Sequence, residues 1–261
     1  TTTLIMGDAN GDDVIDLTDL LIVSGAYGTD PVSNPAADLN GDAMPDLAVV
    51  NNGSNDVSVL IGDGKGSFSA AKNYAVGKSP YSVAAGDLNG DSSLDLVTAN
   101  YSDGTLSVLL SLGQGTYGTA VAYGKTLQLT SVAMADFNGD ARSDVAASVS
   151  NSSSVAIFLN KGAGQLEFLD VYGTGKSPAS LTLGDWNGDR RIDIATANQA
   201  SNDLSILFGS GNGTFLPLQS VAYGCGPNSV HTGDFNRDGK ADLAVLNIAT
   251  NSAAVSLNLA R

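Results

Sequence analysis

The segment Asp185-Trp186-Asn187-Gly188-Asp189-Arg190-Arg191-Ile192-Asp193 decides the reading of this chain. Side chains carrying oxygen stand at its positions 1, 3, 5 and 9, with glycine at position 4. Alternate residues of such a loop turn their oxygens inward on one hard cation, and the backbone carbonyl of position 7 fills another coordination place. Calcium suits an all-oxygen cage, whereas zinc asks for His or Cys and magnesium keeps most of its water. The expected ligands are Asp185, Asn187, Asp189, the carbonyl of Arg191, and Asp193.

The same loop recurs with Asp38, Asn40, Asp42, Met44 and Asp46; with Asp87, Asn89, Asp91, Ser93 and Asp95; and with Asp136, Asn138, Asp140, Arg142 and Asp144. It returns once more with Asp234, Asn236, Asp238, Lys240 and Asp242. The starts 38, 87, 136, 185 and 234 are each 49 residues apart, so the chain is a repeat array, here numbered I to V. Loop V carries Arg237 at position 4 and Gly239 at position 6, but its ligand set is intact and occupancy is expected. A sixth loop, Asp8, Asn10, Asp12, Val14 and Asp16, lies outside the register and adds Asp19 at position 12, where an EF-hand places its last carboxylate. Up to six Ca2+ sites are expected.

The charge follows from these loops. Acidic residues number 27 against 12 basic ones, for a formal charge of −15, and Glu167 is the sole glutamate. Most of the aspartates occupy loop positions, so the acids are spaced for ligation rather than blocked as in a disordered acidic tail. Nucleic-acid binding is excluded for want of a basic surface. No run of about 18 apolar residues occurs, so no membrane insertion is expected. One cysteine, Cys225, cannot form an internal disulfide and reads as a surface thiol. Loops of moderate calcium affinity suit a calcium-rich medium, which predicts a secreted, extracellular or cell-surface protein. The start Thr-Thr-Thr, without Met or a signal peptide, is expected of a processed or trimmed product.

Between loops the apolar pattern has period 2, as in Leu106-Ser107-Val108 and Leu204-Ser205-Ile206, and predicts strands. In repeat II the expected strands are 82–86, 95–100, 106–110 and 117–123, with the cation loop at 87–95 and a turn at 113–115. Four short antiparallel strands per repeat of this length are the signature of propeller blades. Residues 1–37 form a separate unit. It comprises a β-prone run at 2–6, the sixth loop, an amphipathic helix over 17–27 (Leu17, Leu20, Leu21, Ser24), and a linker at 30–35.

The motif Asp-x-Asn-Gly-Asp-x-x-x-Asp-Leu, seen at Asp87–Leu96, is followed by Gly-x-Gly-x-Phe turns such as Gly64-Lys65-Gly66-Ser67-Phe68. It resembles the FG-GAP repeat of integrin α-subunit propellers, and is similar to the VCBS repeats of bacterial secreted proteins and to some fungal lectins. The resemblance covers 38–261. It implies a calcium-binding propeller whose cations clip the hairpin between the first and second strands of each blade. The N-terminal loop and helix resemble half of a dockerin or EF-hand. The expected fold is therefore all-β, a five-bladed β-propeller of four-stranded antiparallel blades, plus one short N-terminal helix.

The fifth repeat stops after its third strand, which leaves an edge that invites another strand. Residues 1–6 are expected to fill that edge and close the ring, or else to insert into another copy and build a head-to-tail polymer. Catalytic constellations are missing. His231 is the one histidine, and within 38–261 the aspartates left outside the loops are Asp56, Asp63, Asp103, Asp170 and Asp203, beside the sole glutamate Glu167. The chain is expected not to be an enzyme. The predicted role is a calcium-stabilised adhesion or lectin-like recognition module, with a carbohydrate or an extracellular protein as ligand. The alternative is a structural subunit that binds copies of itself through the N-terminal strand, and a third reading is a piece of a larger secreted enzyme. Trp186, at position 2 of loop IV, is expected in the core because Leu39, Leu88, Phe137 and Phe235 hold that place elsewhere.

Overall fold

A computed structural model describes residues 38–258. Repeats II, III and IV each build a four-stranded antiparallel sheet whose strands pair in chain order. In II these are Pro80–Gly86, Asp95–Asn100, Thr105–Leu109 and Val121–Tyr123. In III they are Leu129–Ala135, Asp144–Val149, Ser154–Asn160 and Leu166–Gly173. In IV they are Pro178–Gly184, Asp193–Asn198, Asp203–Leu207 and Gln219–Ala222.

One register repeats throughout. Gly86 faces Asp95, Ala135 faces Asp144, Gly184 faces Asp193 and Gly233 faces Asp242. In repeats II to V each acidic loop is thus the tip of the hairpin between the first and second strands, and its position 9 begins the second strand. The second strands of II, III and IV are buried along their whole length because a neighbouring sheet covers each face. Their runs of Val, Ala, Leu and Ile fit that double burial.

Successive sheets pack face to face with one apolar cluster per seam. Leu39, Val57, Leu96 and Tyr117 fill the seam between I and II; Leu88, Val145, Phe158 and Leu166 fill that between II and III. Phe137, Ile157, Ile194 and Phe215 follow, then Trp186, Leu204 and Val230. Each large side chain so buried stabilises the fold by about 1.5–3 kcal/mol. First strands lie beside one another: Val132 N–H donates to Ser82 Oγ at 3.2 Å and Thr130 Oγ1 to the Pro178 carbonyl at 2.7 Å.

Several buried amides inside the sheets donate to serines, although the Oδ1 atoms of Asn51 and Asn247 accept no hydrogen bond. Asn51, Asn100 and Asn198 end the strand that follows the loop in I, II and IV and donate to Ser58, Ser107 and Ser205 at 2.7, 2.8 and 2.9 Å. In these three repeats the small residue of the alternating strand is therefore a hydrogen-bonding one, which periodicity alone did not reveal; its counterparts in III and V are Ala156 and Ala254.

Two expectations are corrected. The five-bladed ring of four-stranded blades does not form. Among the described residues sheet I has three strands (Leu47–Asn51, Asp56–Leu60, Lys72–Ala75), and sheet V also has three (Pro227–Gly233, Asp242–Asn247, Ser252–Ser256). A separate two-stranded hairpin, Ser111–Gly113 with Thr116–Tyr117, makes a sixth sheet and takes the start of the fourth strand expected at 117–123. Sheet V does not return to pack on sheet I as neighbours pack. The physical reason is that each sheet begins one strand before its loop, so the first strand of sheet I would fall on residues 31–37, outside the described residues, and the number of loops alone does not fix the number of complete sheets. Counting repeats also says nothing of the angle between successive sheets, on which closure depends. Finally, the described residues contain no helix, and the helix expected over 17–27 lies outside them. The strand expected at 2–6 lies outside them too.

Candidate functional site

The five loops of repeats I to V adopt one hydrogen-bonded form. At position 1, Asp38 Oδ1 accepts from the N–H groups of Gly41 and Asp42 at 2.7 and 3.0 Å, and Oδ2 accepts from Ala43 at 2.7 Å. Asp136 and Asp185 repeat all three bonds; Asp87 takes Gly90 and Ser92, and Asp234 takes Asp238 and Gly239. At position 3 the Asn amide donates to the position-5 carboxylate, at 2.8 Å for Asn40 and Asp42, 2.9 Å for Asn89 and Asp91, and 3.1 Å for Asn138 and Asp140. Asn187 to Asp189 and Asn236 to Asp238 are likewise 3.1 Å. The other oxygen at position 5 accepts from the backbone of position 7: Met44, Ser93, Arg142, Arg191 and Lys240.

The backbone explains the glycines. Positions 4 and 6 both take the left-handed conformation, with φ of 82° at Gly41 and 64° at Ala43. Loop V meets the same demand with Arg237 at 61° and Gly239 at 81°, so its exchange of residues between the two places leaves the loop shape unchanged. A non-glycine residue held there costs about 1–2 kcal/mol, and the loop retains it in every copy.

Position 9 does something that spacing could not show. Asp46, Asp95, Asp144, Asp193 and Asp242 are buried, and each carboxylate bridges two backbone donors that are remote in sequence. Oδ2 accepts from position 2 of the loop and Oδ1 from the residue 16 positions further on, at or just past the end of the second strand after the loop. For Asp46 these are Leu39 at 2.7 Å and Gly62 at 2.8 Å; for Asp144, Phe137 at 3.1 Å and Asn160 at 2.8 Å. The others join Leu88 with Ser111, Trp186 with Gly209, and Phe235 with Asn258. Burial pushes the carboxyls of Asp46, Asp95, Asp144 and Asp193 above the usual carboxylate value, against the pull of those N–H groups. At position 5, Asp91 is lowered by the Asn89 amide and the Ser93 N–H. Burial raises Asp140 too, but the bonds from Arg142 and Asn138 and the guanidinium charge outweigh it.

Among the described residues, no three acidic, histidine or cysteine side chains stand close enough to hold a metal ion as they are, because their oxygens are turned to backbone N–H groups. The donor set nevertheless fits a hard cation. Every candidate atom is oxygen, and each carboxylate oxygen keeps lone-pair capacity beyond its N–H bond. Asp38, Asn40, Asp42, the Met44 carbonyl and Asp46 would hold an ion in loop I, and the equivalent residues in loops II to V. Loops III to V add an internal cation at position 7: Arg142 lies 2.6 Å from Asp140, Arg191 4.0 Å from Asp189 and Lys240 3.8 Å from Asp238. The loop of Asp8, Asn10, Asp12, Val14, Asp16 and Asp19 lies outside the described residues.

Outside the loops the acids serve structure. Asp56 accepts from Asn51 Nδ2, Asp103 from the Lys78 N–H at 2.7 Å, and Asp203 from Ser201, Ser220 and Asn198. His231 pairs with Ser229 Oγ at 2.9 Å, and Cys225 is exposed. Trp186 is a core side chain of the seam between IV and V, as its loop position predicts. The surface does carry one aromatic pair, Tyr81 and Tyr101, with ring centroids 5.0 Å apart and Tyr81 exposed.

The family model for the FG-GAP-like repeat matches residues 38–98, 87–147, 136–196 and 185–245. No curated protein matches the chain. Among solved structures, the chain is similar to BBS1N in complex with ARL6DN (14% identity, TM-score 0.57, covering 90% of this chain and 69% of that one). It is also similar to an Agrocybe aegerita lectin described as recognising non-reducing terminal N-acetylglucosamine (19% identity, TM-score 0.58, covering 87% and 62%). A streptogramin B lyase shares 15% identity at TM-score 0.54, covering 84% and 67%. Identities this low speak for the fold alone. The chain spans about two thirds of the length of these structures.

Proposed function

The chain belongs to the FG-GAP-like repeat family, and on that premise we propose that it is a calcium-stabilised, non-catalytic recognition module of the extracellular space or cell surface. The observation that carries this reading is the carboxylate at position 9. One buried side chain ties the loop tip to the far end of the second strand after the loop in all five repeats. An ion held beside it would join two parts of a sheet, which is a structural task. It would also offset the mutual repulsion of three aspartates drawn together by the hairpin. Arrangements that serve a reacting centre leave an acid or base open to substrate, whereas these carboxylates are taken up by backbone.

A carbohydrate is the favoured ligand class, with an extracellular protein as the other. Tyr81 and Tyr101, tilted by 32° to one another with Tyr81 exposed, offer an aromatic surface of the kind that receives the apolar side of a sugar ring. The lectin of similar fold makes sugar binding a natural first screen.

Thermal unfolding in millimolar calcium and in excess chelator tests the calcium half of the reading. An ion at a hundredfold excess over its Kd stabilises by about 2.7 kcal/mol per site, so several sites give a large drop in Tm on chelation. A calcium-insensitive Tm removes the reading. A glycan array probed with wild-type protein and with Tyr81→Ala tests the other half: the variant should lose signal at unchanged Tm.

A further inference from the structure

The interior seams follow one rule. Position 2 of a loop meets the residue that ends the Gly-x-Gly turn of the next repeat. Leu39 shares a cluster with Tyr117, Leu88 shares one with Leu166, and Phe137 and Phe215 meet edge to face with centroids 5.7 Å apart. The backbone joins in: the Gly164 N–H donates to the Leu88 carbonyl at 3.0 Å and the Gly213 N–H to the Phe137 carbonyl at 2.8 Å. An added Cβ on the last turn glycine would touch the preceding repeat at Ile61 (from Gly115), Leu110 (from Gly164) or Leu159 (from Gly213).

At the two ends of the array the same positions are bare. Phe235 in loop V is 50% exposed, whereas its four counterparts reach 8% at most. Leu257, the counterpart of Ile61, Leu110 and Leu159, is exposed, and so is Val255 on the adjoining strand. At the other end Phe68 is 43% exposed, whereas Tyr117, Leu166 and Phe215 reach 9% at most. Gly66, the counterpart of Gly115, Gly164 and Gly213, has nothing within 4 Å of an added Cβ.

Repeat V therefore presents one half of a seam and repeat I the other half, in matching register. We propose that the array binds a second copy of itself head to tail, with Phe235, Val255 and Leu257 of one copy receiving Phe68 and Gly66 of the next. The contact reproduces the Phe137–Phe215 seam between molecules, and by the same register the Gly66 N–H would donate to the Phe235 carbonyl. The two halves differ, so the interface is heterologous and each copy can bind one partner at either end. This surface is distinct from the sugar-stacking face proposed above and does not depend on it.

Sedimentation velocity of the full chain in millimolar calcium tests the proposal. Wild-type protein should associate further with each tenfold rise in concentration. Phe68→Asp and Phe235→Asp place a charge in one half-seam each, at positions already open to solvent, and each variant alone should stay monomeric. An equimolar mixture of the two should give a 1:1 dimer and nothing larger, because only one intact pair of halves remains. Val255→Asp replaces Phe235→Asp should the latter not fold by circular dichroism. A wild-type protein that is monomeric at every concentration overturns the proposal; it is the result expected if residues 1–37 or the array's own ends cover these faces. A mixture that stays monomeric, or a variant that associates like wild type, overturns it as well.

Discussion

Sheets III and V are built from the same code and end in different surroundings. Their loops begin at Asp136 and Asp234, two periods apart, and their hairpins share one register, Ala135 with Asp144 and Gly233 with Asp242. Both carboxylate clamps are made: Asp144 to Phe137 and Asn160, Asp242 to Phe235 and Asn258. Yet Asp144–Val149 is buried throughout, whereas Leu246 within Asp242–Asn247 is exposed and Ser252–Ser256 is exposed at every residue. Loop form is thus a local property of nine residues, while burial is conferred by the sheet next door. Stability per repeat should differ accordingly.

Large-to-small substitution at position 2 should separate the two sheets most. Phe137→Ala empties a filled seam and should cost about 3–5 kcal/mol, while Phe235→Ala, at a half-exposed site, should stay within about 1 kcal/mol. Urea unfolding of the monomer measures both, and equal losses would break the comparison. Removing the clamp should narrow the gap, because the bonds lost are local. Asp144→Ala and Asp242→Ala each orphan two backbone N–H groups, at about 1–3 kcal/mol apiece where they are buried; a negligible cost in either would show that the clamp is ornamental.

A smaller effect sharpens the view of the loop itself. Position 6 is Ala141 in III and Gly239 in V, both left-handed. Ala141→Gly should raise stability by about 1 kcal/mol and Gly239→Ala should lower it by as much, with loop form unchanged in each. Last comes the ion pair at position 7. Arg142→Met gives loop III the residue of loop I, and the exposed pair with Asp140 is worth about 0–1 kcal/mol. Calcium titration of that variant should show tighter binding than wild type, since a fixed positive charge has left the loop.

Much of this was readable in the residues. The 49-residue period, the loop at the tip of the first hairpin and the core placement of Trp186 all follow from spacing and alternation. Repeat II's second and third strands fall within one residue of their expected bounds. The clamp escaped notice because its donors lie 7 residues before and 16 after the aspartate, at positions of changing identity that contribute only their N–H. The Asn and Ser pairs inside the sheets could have been found: Asn51, Asn100, Asn198 and Asn247 stand in register with the period. Closure into a five-bladed ring was read from the number of repeats, and the two short end sheets overturn it.

The sequence by itself determined what a repeat is: an oxygen-lined loop with two left-handed positions, followed by strands whose alternation assigns their faces. Those features depend on neighbours along the chain, and any copy of the code produces them. Tertiary structure alone decided which faces are covered. A seam needs a loop from one repeat and a turn from the next, so Phe137 is buried and Phe235 is bare although both occupy the same place in the code.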